Sequence, residues 1–323
     1  MKKEINWGII GLGKIAKKFS EGLTKVENAH LYGVASRDLE KAKEFSEEYH
    51  SEVAYGSYEE LMQDENVDVI YIATPHVFHH TLTLDCLKHG KAVLSEKPFA
   101  MNLKEAEEMI HSARDKKVFL MEALWTKFLP HFQDVLQKVN SEEFGKIRSL
   151  KADFGFQAEF DKNKRLFNKS LGGGSLLDIG IYPLFAAYCL LGKPEEIEAE
   201  AKFAETGVDL ETRMKLKYRN GVVAELFSTL KEKTPTVAEI KLEKATIILD
   251  SRFHEPTSVT TITDDKQEIR DFGVENNGYT FEAEHVTKML QEGKTESDIW
   301  SHQNTLDLIA LLDQVREKIG LEY

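Results

Sequence analysis

The chain has 323 residues, 41% of them hydrophobic, which is long for a single core and comfortable for two domains. A formal charge of -13 withholds the basic footprint that nucleic acid or an anionic membrane would need, so neither is expected as a partner. Cys86 and Cys189 lie far apart outside any CxxC pairing, the first residues lead into an apolar strand, and no stretch reads as a membrane span, so a cytoplasmic chain is expected.

Ile5, Ile9 and Ile10 form an apolar run that enters Gly11-Leu12-Gly13-Lys14-Ile15-Ala16. This order reads as a buried strand, a glycine turn and a helix start. Such a turn permits close backbone approach to a pyrophosphate, and the helix start offers free N–H groups and a partial positive charge. Residues 14–25 have helical spacing and 29–35 return as a strand, which completes a βαβ unit. At the end of that second strand stands Ser36-Arg37-Asp38, where an NAD site usually carries an acidic residue for the ribose 2′-hydroxyl. A serine hydroxyl beside an arginine suits a 2′-phosphate, so the cofactor expected is NADP, with NAD the alternative. Asp38 reads as the cap of a charged helix over 39–49, and Ser36 could share that role.

The alternation continues with a helix at 58–62, a strand at 67–73, a helix at 81–89 and a strand at 91–95. Two loops follow the carboxyl ends of these strands: Thr74-Pro75-His76, with His79 beyond, and Glu96-Lys97-Pro98. Open α/β sheets place their ligands at such ends. A helix at 102–116 and a strand at 118–121 complete a doubly wound parallel sheet, so a Rossmann domain is expected over 1–122. From residue 123 the pattern becomes a run of strands, at 147–156, 195–203, 209–218, 222–230, 236–242, 246–249 and 258–262. They suggest an α+β domain over 123–323 with an open, mostly antiparallel sheet. Gly172-Gly173-Gly174 leads through Asp178 and Tyr182 into an apolar helix, and helices at 279–291 and 300–319 end the chain. The strand 222–230 carries apolar residues on both faces, which predicts a covered sheet face and a homodimer.

Together, the Gly-Leu-Gly-Lys-Ile-Ala turn, Ala73 to His79, Glu96-Lys97-Pro98 and Asp178-Ile179-Gly180-Ile181-Tyr182 resemble the glucose–fructose oxidoreductase/inositol dehydrogenase/MocA family over the whole chain. Residues 121–130 and 172–182 look most like the branch containing dimeric dihydrodiol dehydrogenase and NADP-dependent xylose dehydrogenase, with Lys127 where that branch commonly has arginine. The resemblance implies a Rossmann domain followed by an open-sheet domain, and reversible oxidation of an alcohol or sugar carbon without a metal. It also implies dimerisation or tetramerisation through the second sheet, a His76–His79 loop beside the nicotinamide, and a substrate contact from Lys97. The branch resemblance favours Trp125, Phe154 and, as a polar contact, Arg148 as substrate residues; core aromatics are the alternative for Trp125 and Phe154.

Oxidising an alcohol requires a hydride to leave carbon while a base takes the hydroxyl proton. Tyr182 follows Asp178 by four residues, on one helix face. An ammonium nearby would lower a phenol pKa from about 10 toward working pH. The assignment is Tyr182 as proton donor and acceptor, Lys97 as electrostatic partner and substrate contact, and Asp178 as orienting group. Against it stand a capping box between Ser175 and Asp178, an interior aromatic role for Tyr182, and a solvated surface lysine. His79 could contact backbone or cofactor, and His80 reads as a surface residue. The expected substrate is a neutral sugar or cyclic vicinal diol, with the glycine run giving close backbone approach. The alternatives are a cofactor-binding sensor with no catalysis and a cofactor-retaining enzyme for a net non-redox step on glycosides.

Overall fold

The computed structural model describes residues 3–323, and their contacts form two compact units. The first runs to Phe128 and resumes over Glu275–Leu306; the second comprises Leu129–Val274 and Asp307–Tyr323.

The first unit alternates β1 (Ile5–Ile10), α1 (Lys14–Leu23), β2 (Ala29–Ala35), α2 (Leu39–Tyr49), β3 (Val53–Tyr55), α3 (Tyr58–Gln63), β4 (Val69–Ile72), α4 (His79–Lys88), β5 (Ala92–Glu96), α5 (Leu103–Lys116) and β6 (Leu120–Ala123). Its six strands pair in parallel in the order β3-β2-β1-β4-β5-β6. Every residue of β4, β5 and β6 is buried, as parallel strands covered on both faces require. The strand order reverses between β1 and β4, so the loops after these strands open at the switch point of the sheet. The short β3 had no signal in the sequence.

The second unit opens with α6 (Pro130–Asn140), β7 (Ile147–Gly155) and α7 (Ile181–Leu191). It continues through β8 (Glu196–Phe203), β9 (Asp209–Lys217), β10 (Val223–Thr229), β11 (Ala238–Leu242), β12 (Thr246–Leu249), β13 (Val259–Ile262) and β14 (Gln267–Arg270). The eight strands lie in the order β14-β13-β12-β11-β7-β10-β9-β8, antiparallel except for the β7–β10 pair. Leu150, Ala152, Ala224, Leu226, Met214 and Leu216 are buried on one face, the side on which α7 packs. The opposite face departs from the expected apolar surface. Val223 and Phe227 are only half-buried there, beside the Lys151–Glu225 ion pair at 2.9 Å and the Arg213 guanidinium 4.0 Å above the Phe227 ring. The stretch Lys169–Leu191 is long and apolar enough to cross a membrane by composition, but 78% of its most apolar 18-residue window is buried in the protein, which marks a core helix.

The division differs from the one expected after Glu122, because the chain returns to the first unit near its end. There α8 (Tyr279–Gln291) packs on α1 and β1. Gly22 makes the approach possible: a Cβ on it would lie 3.0 Å from Thr280 N, and Thr280 Oγ1 donates to the Gly22 carbonyl at 3.1 Å. The Trp7 indole donates to Thr287 at 3.3 Å, and Phe19 stacks on Tyr71 at 3.8 Å. Beyond α8, Leu120 N donates to Thr295 O at the free edge of β6. The last helix, α9 (His302–Ile319), divides between the units at Leu306.

Glu122 anchors this return. Its Oε2 accepts from the Trp300 indole at 3.1 Å and Thr305 Oγ1 at 3.0 Å, while Oε1 accepts from Phe99 N at 3.1 Å. Burial raises its pKa to about 7 against the lowering effect of these bonds. A carboxyl whose folded pKa lies above its unfolded value binds its proton more tightly when folded, so its contribution to stability declines as pH rises from about 4.5 to about 7. Relative to Glu122→Gln, the native protein should lose about 3 kcal/mol of unfolding free energy across that window. Urea titrations at the two pH values check this, and parallel pH profiles would contradict it.

Candidate active site

The first unit opens on the glycine turn expected to hold phosphate. Gly11 has φ +90°, and a Cβ there would lie 2.7 Å from Ala73 C, so the turn passes directly over the end of β4. Gly13 is the N-cap of α1, makes no side-chain cap, and has no heavy atom within 4 Å of an added Cβ. One glycine is demanded by the fold and the other leaves space at an uncapped helix start, which suits a pyrophosphate. Leu12 is buried beside them, whereas Lys14 and Ile15 are exposed.

At the end of β2, Asp38 caps α2 by accepting from Glu40 N and Lys41 N, and Ser36 Oγ accepts from Asp38 N at 3.1 Å. Arg37 is exposed and has no ion pair or hydrogen bond among the described residues. Ala35 pairs with Ile10 in the sheet register, which sets Ser36 and Arg37 next to the glycine turn.

The loops after β4 and β5 are bound to each other. His79, 1% exposed, places Nε2 2.9 Å from Thr74 O and Nδ1 3.0 Å from Pro98 O. Burial lowers the ring pKa to about 4 against the raising effect of these carbonyls; the ring sits between the two loops on their backbone, and in its neutral form donates to one carbonyl at a time. His76 is buried beside it, with ring centroids 6.4 Å apart, and Thr74 Oγ1 is buried without a hydrogen-bond partner among the described residues. Pro75 begins the short turn that carries His76. Glu96 is turned inward: Tyr71 donates to Oε1, and Lys97 N donates to Oε2 at 3.1 Å. Burial raises the Glu96 pKa. The Glu96 side chain thus braces its own loop, while Lys97 follows as a half-buried residue joined to Pro98 by a cis peptide. His80 is the surface residue expected, 2.9 Å from Glu108.

Trp125 is 4% exposed and stacks on Tyr279 at 4.4 Å with a 15° interplanar angle, so within this unit it is a core aromatic. Arg148 corrects another expectation. It lies at the start of β7, paired with Glu243 at 2.6 Å, six positions before Phe154 in the same strand. At about 3.3 Å per residue that is roughly 20 Å away, which separates the two proposed substrate residues.

In the second unit Tyr182 is 5% exposed, with the Phe154 ring at 5.8 Å and the His254 ring at 4.8 Å; Phe154 and His254 stack at 4.3 Å. His254 had no signal in the sequence. Leu176–Gly180 forms a wide π turn that passes into α7 at Ile181, so Asp178 and Tyr182 straddle a change of helical pattern. Pro183 falls just after that change and removes an N–H where the ladder already shifts. The capping box is absent: Ser175 Oγ donates to Asp209 Oδ2 at 2.7 Å, joined there by Leu176 N and Thr212 Oγ1. Asp178 instead accepts from Arg165 Nη2 at 2.6 Å. The glycine run serves the protein's own chain, since Cβ atoms on Gly173 and Gly174 would lie 2.6 Å from Arg165 O and 2.1 Å from Asp209 Oδ1.

The two glycines of the first turn should separate under substitution. Gly11→Ala, at positive φ and in contact with backbone, should lower stability by about 2 kcal/mol or more. Gly13→Ala should cost a few tenths of a kcal/mol while weakening dinucleotide binding. Thermal melts and titration calorimetry check the pair; equal stability losses would contradict the assignment.

The model of the Gfo/Idh/MocA oxidoreductase family, NAD-binding Rossmann fold, matches residues 5–124, and that of the family's C-terminal domain matches residues 132–248. The chain is 36% identical to trans-1,2-dihydrobenzene-1,2-diol dehydrogenase of Xenopus tropicalis, with 98% of each chain covered. It is 33% identical to the Homo sapiens protein of that name, with 99% of this chain and 98% of the other covered. Among solved structures, KijD10, a 3-ketoreductase from Actinomadura kijaniata in complex with TDP-benzene and NADP, has a TM-score of 0.87 at 25% identity over 98% of both chains. Aldose-aldose oxidoreductase from Caulobacter crescentus shares the fold at a TM-score of 0.90 and 22% identity, again over 98% of both. The uncapped glycine turn, the braced loops after β4 and β5 and the full-length relatives agree, and the chain belongs to the Gfo/Idh/MocA family of oxidoreductases.

Proposed function

We propose that this protein oxidises a hydroxyl-bearing carbon of a neutral ring-shaped diol or sugar, reversibly, with NADP as the preferred cofactor and in the cytoplasm. The observation that carries the reading is Tyr182 at the start of α7, just after the π turn that holds Asp178, and walled by Phe154 and His254. A phenol at that place exchanges the substrate's hydroxyl proton, and flat rings beside it suit the face of a cyclic substrate. Lys97 is the substrate contact proposed in the first unit, and Asp178 is the orienting group for Tyr182 in the second. A bound nicotinamide supplies the hydride acceptor. The dihydrodiol and 3-ketoreductase names of the relatives favour the same substrate class.

The charge pattern argues against a phosphorylated or acidic substrate, which would need convergent uncommitted cations. Arg165 is paired with Asp178, Lys164 lies within 4 Å of Glu159 and Asp161, and Lys162 is exposed. Turnover with xylose or a cyclic trans-diol should therefore exceed that with glucose 6-phosphate in kcat/KM, read from NADPH absorbance; the opposite order would redirect attention to the 162–165 loop. Lys97→Met and Tyr182→Phe should each lower turnover by at least about a hundredfold with NADP binding nearly intact. Normal turnover by Tyr182→Phe would move the proton step to another group.

NADP preference rests on Arg37, an uncommitted guanidinium beside Ser36 at the end of β2. Arg37→Ala should raise the Kd for NADP far more than that for NAD, and equal affinity of the native protein for the two would reject the preference. We also place a homodimer on the open face of the second sheet, where Val223, Phe227 and Ile248 lie half-buried among charge pairs suited to self-complementary contact. Light scattering that gives a monomer mass at micromolar concentration would reject it.

A further inference from the structure

Arg165 has no role in the reading above beyond a balanced charge, yet its place in the second unit is closely determined. Its own short helical turn, Arg165–Phe167, ends in a phenylalanine 2% exposed, which packs with Ile179, Val208 and Leu230. Leu166 O accepts from Gly174 N at 2.9 Å, and Asn168 O accepts from Gly173 N at 3.0 Å. Gly173 has no room for a side chain because Arg165 O and Leu166 O lie against it. Tyr323 adds a further tie by donating to Gly173 O at 2.7 Å. The backbone that carries Arg165 is thus laid onto the backbone that opens the π turn.

From that fixed base the guanidinium reaches Asp178, Nη2 to Oδ1 at 2.6 Å, on the turn that leads into Tyr182. Asp178 is 16% exposed at its side chain and Arg165 37%, so the bond is partly shielded from water. A charge-assisted bond of this length from a planar donor fixes carboxylate orientation as well as position. Ile179, the residue after Asp178, lies in the same apolar cluster as Phe167. Packing and ion pair therefore restrain Asp178 from both sides of its peptide.

We propose that Arg165 is a positioning residue for the proton-transfer site: it holds the Asp178 carboxylate in the orientation that Tyr182 requires. The inference rests on the dehydrogenase reading of Asp178 and Tyr182 and extends it to a loop 13 residues upstream. It explains the glycine run, whose tight backbone packing keeps Arg165 within reach of the turn. It also gives Asp178 a cationic neighbour from its own unit.

Steady-state kinetics of the full-length protein with NADP and a cyclic trans-diol or xylose test this across pH. Arg165→Ala should lower kcat on the order of tenfold to a hundredfold, displace the pH profile of kcat/KM, and leave the KM for NADP unchanged. Arg165→Lys, which keeps the charge without the planar fork, should recover only part of the rate. The double variant Arg165→Ala/Asp178→Asn should be no slower than Asp178→Asn alone, because a positioning residue has nothing left to position. A kcat and pH profile equal to the native ones in Arg165→Ala, or losses that multiply in the double variant, would overturn the assignment while Tyr182→Phe remained impaired. Native turnover by Tyr182→Phe, or no turnover of any diol or sugar by the native protein, would instead overturn the reading on which it rests. Circular dichroism and melting temperature of each variant separate misfolding from mispositioning, and a folded Arg165→Lys keeps the test decisive if Arg165→Ala unfolds.

Discussion

Burying a carboxylate is costly unless donors surround it, and in this protein that cost dictates where several loops must lie. Glu96 and Glu122, on neighbouring strands, are both buried, and their partners come from Tyr71 in the adjacent strand, from Phe99 in the loop, and from Trp300 and Thr305 near the end of the chain. The turn through Lys97 is therefore held at Lys97 N and at Phe99 N, with the His79 ring on the Pro98 carbonyl between them. Asp209 plays the same part in the second unit, where three donors converge on Oδ2 at the start of the π turn. Glu282 marks the other outcome. Among the described residues neither of its oxygens has a hydrogen-bond partner, and burial, with nearby Glu96 adding to it, pushes its pKa well above the usual carboxylate range.

The two features of the first unit that are proposed to face phosphate rest on local rules. Gly11 and Gly13 stand between an apolar strand and a helix start, and Arg37 follows a strand that pairs beside them. The alternation of the first half and the strand run of the second also predict the two sheets. What escaped was long-range or weakly patterned. The three residues of β3 are too few to show a period, and β14 is exposed at every position, so no alternation marks it. The return of Glu275–Leu306 to the first unit depends on contacts such as Trp7 with Thr287, far apart in sequence.

The site residues divide along the same line. Asp178 and Tyr182 could be singled out by spacing, but the partner of Asp178 could not, since Ser175 fits a capping pattern and Arg165 fits none. The charges of 162–165 could not be placed in advance; the structure pairs two of them with nearby acids. Arg148 shows the reverse error, because strand position places it far from Phe154 although both belong to β7.

The late return of the chain bears on the order in which the protein is made. A ribosome that has released residues through Phe128 has delivered all six strands of the first sheet but not α8, which packs on α1 and β1. Until then Gly22 and Tyr71 lack Thr280 and Tyr279, Glu122 lacks two of its donors, and the edge of β6 is unpaired at Leu120. The whole second sheet emerges in the interval. Completion of the nucleotide-binding unit is thus deferred to the last part of translation, during which the nascent chain carries an unprotected sheet edge of the kind that chaperones shield.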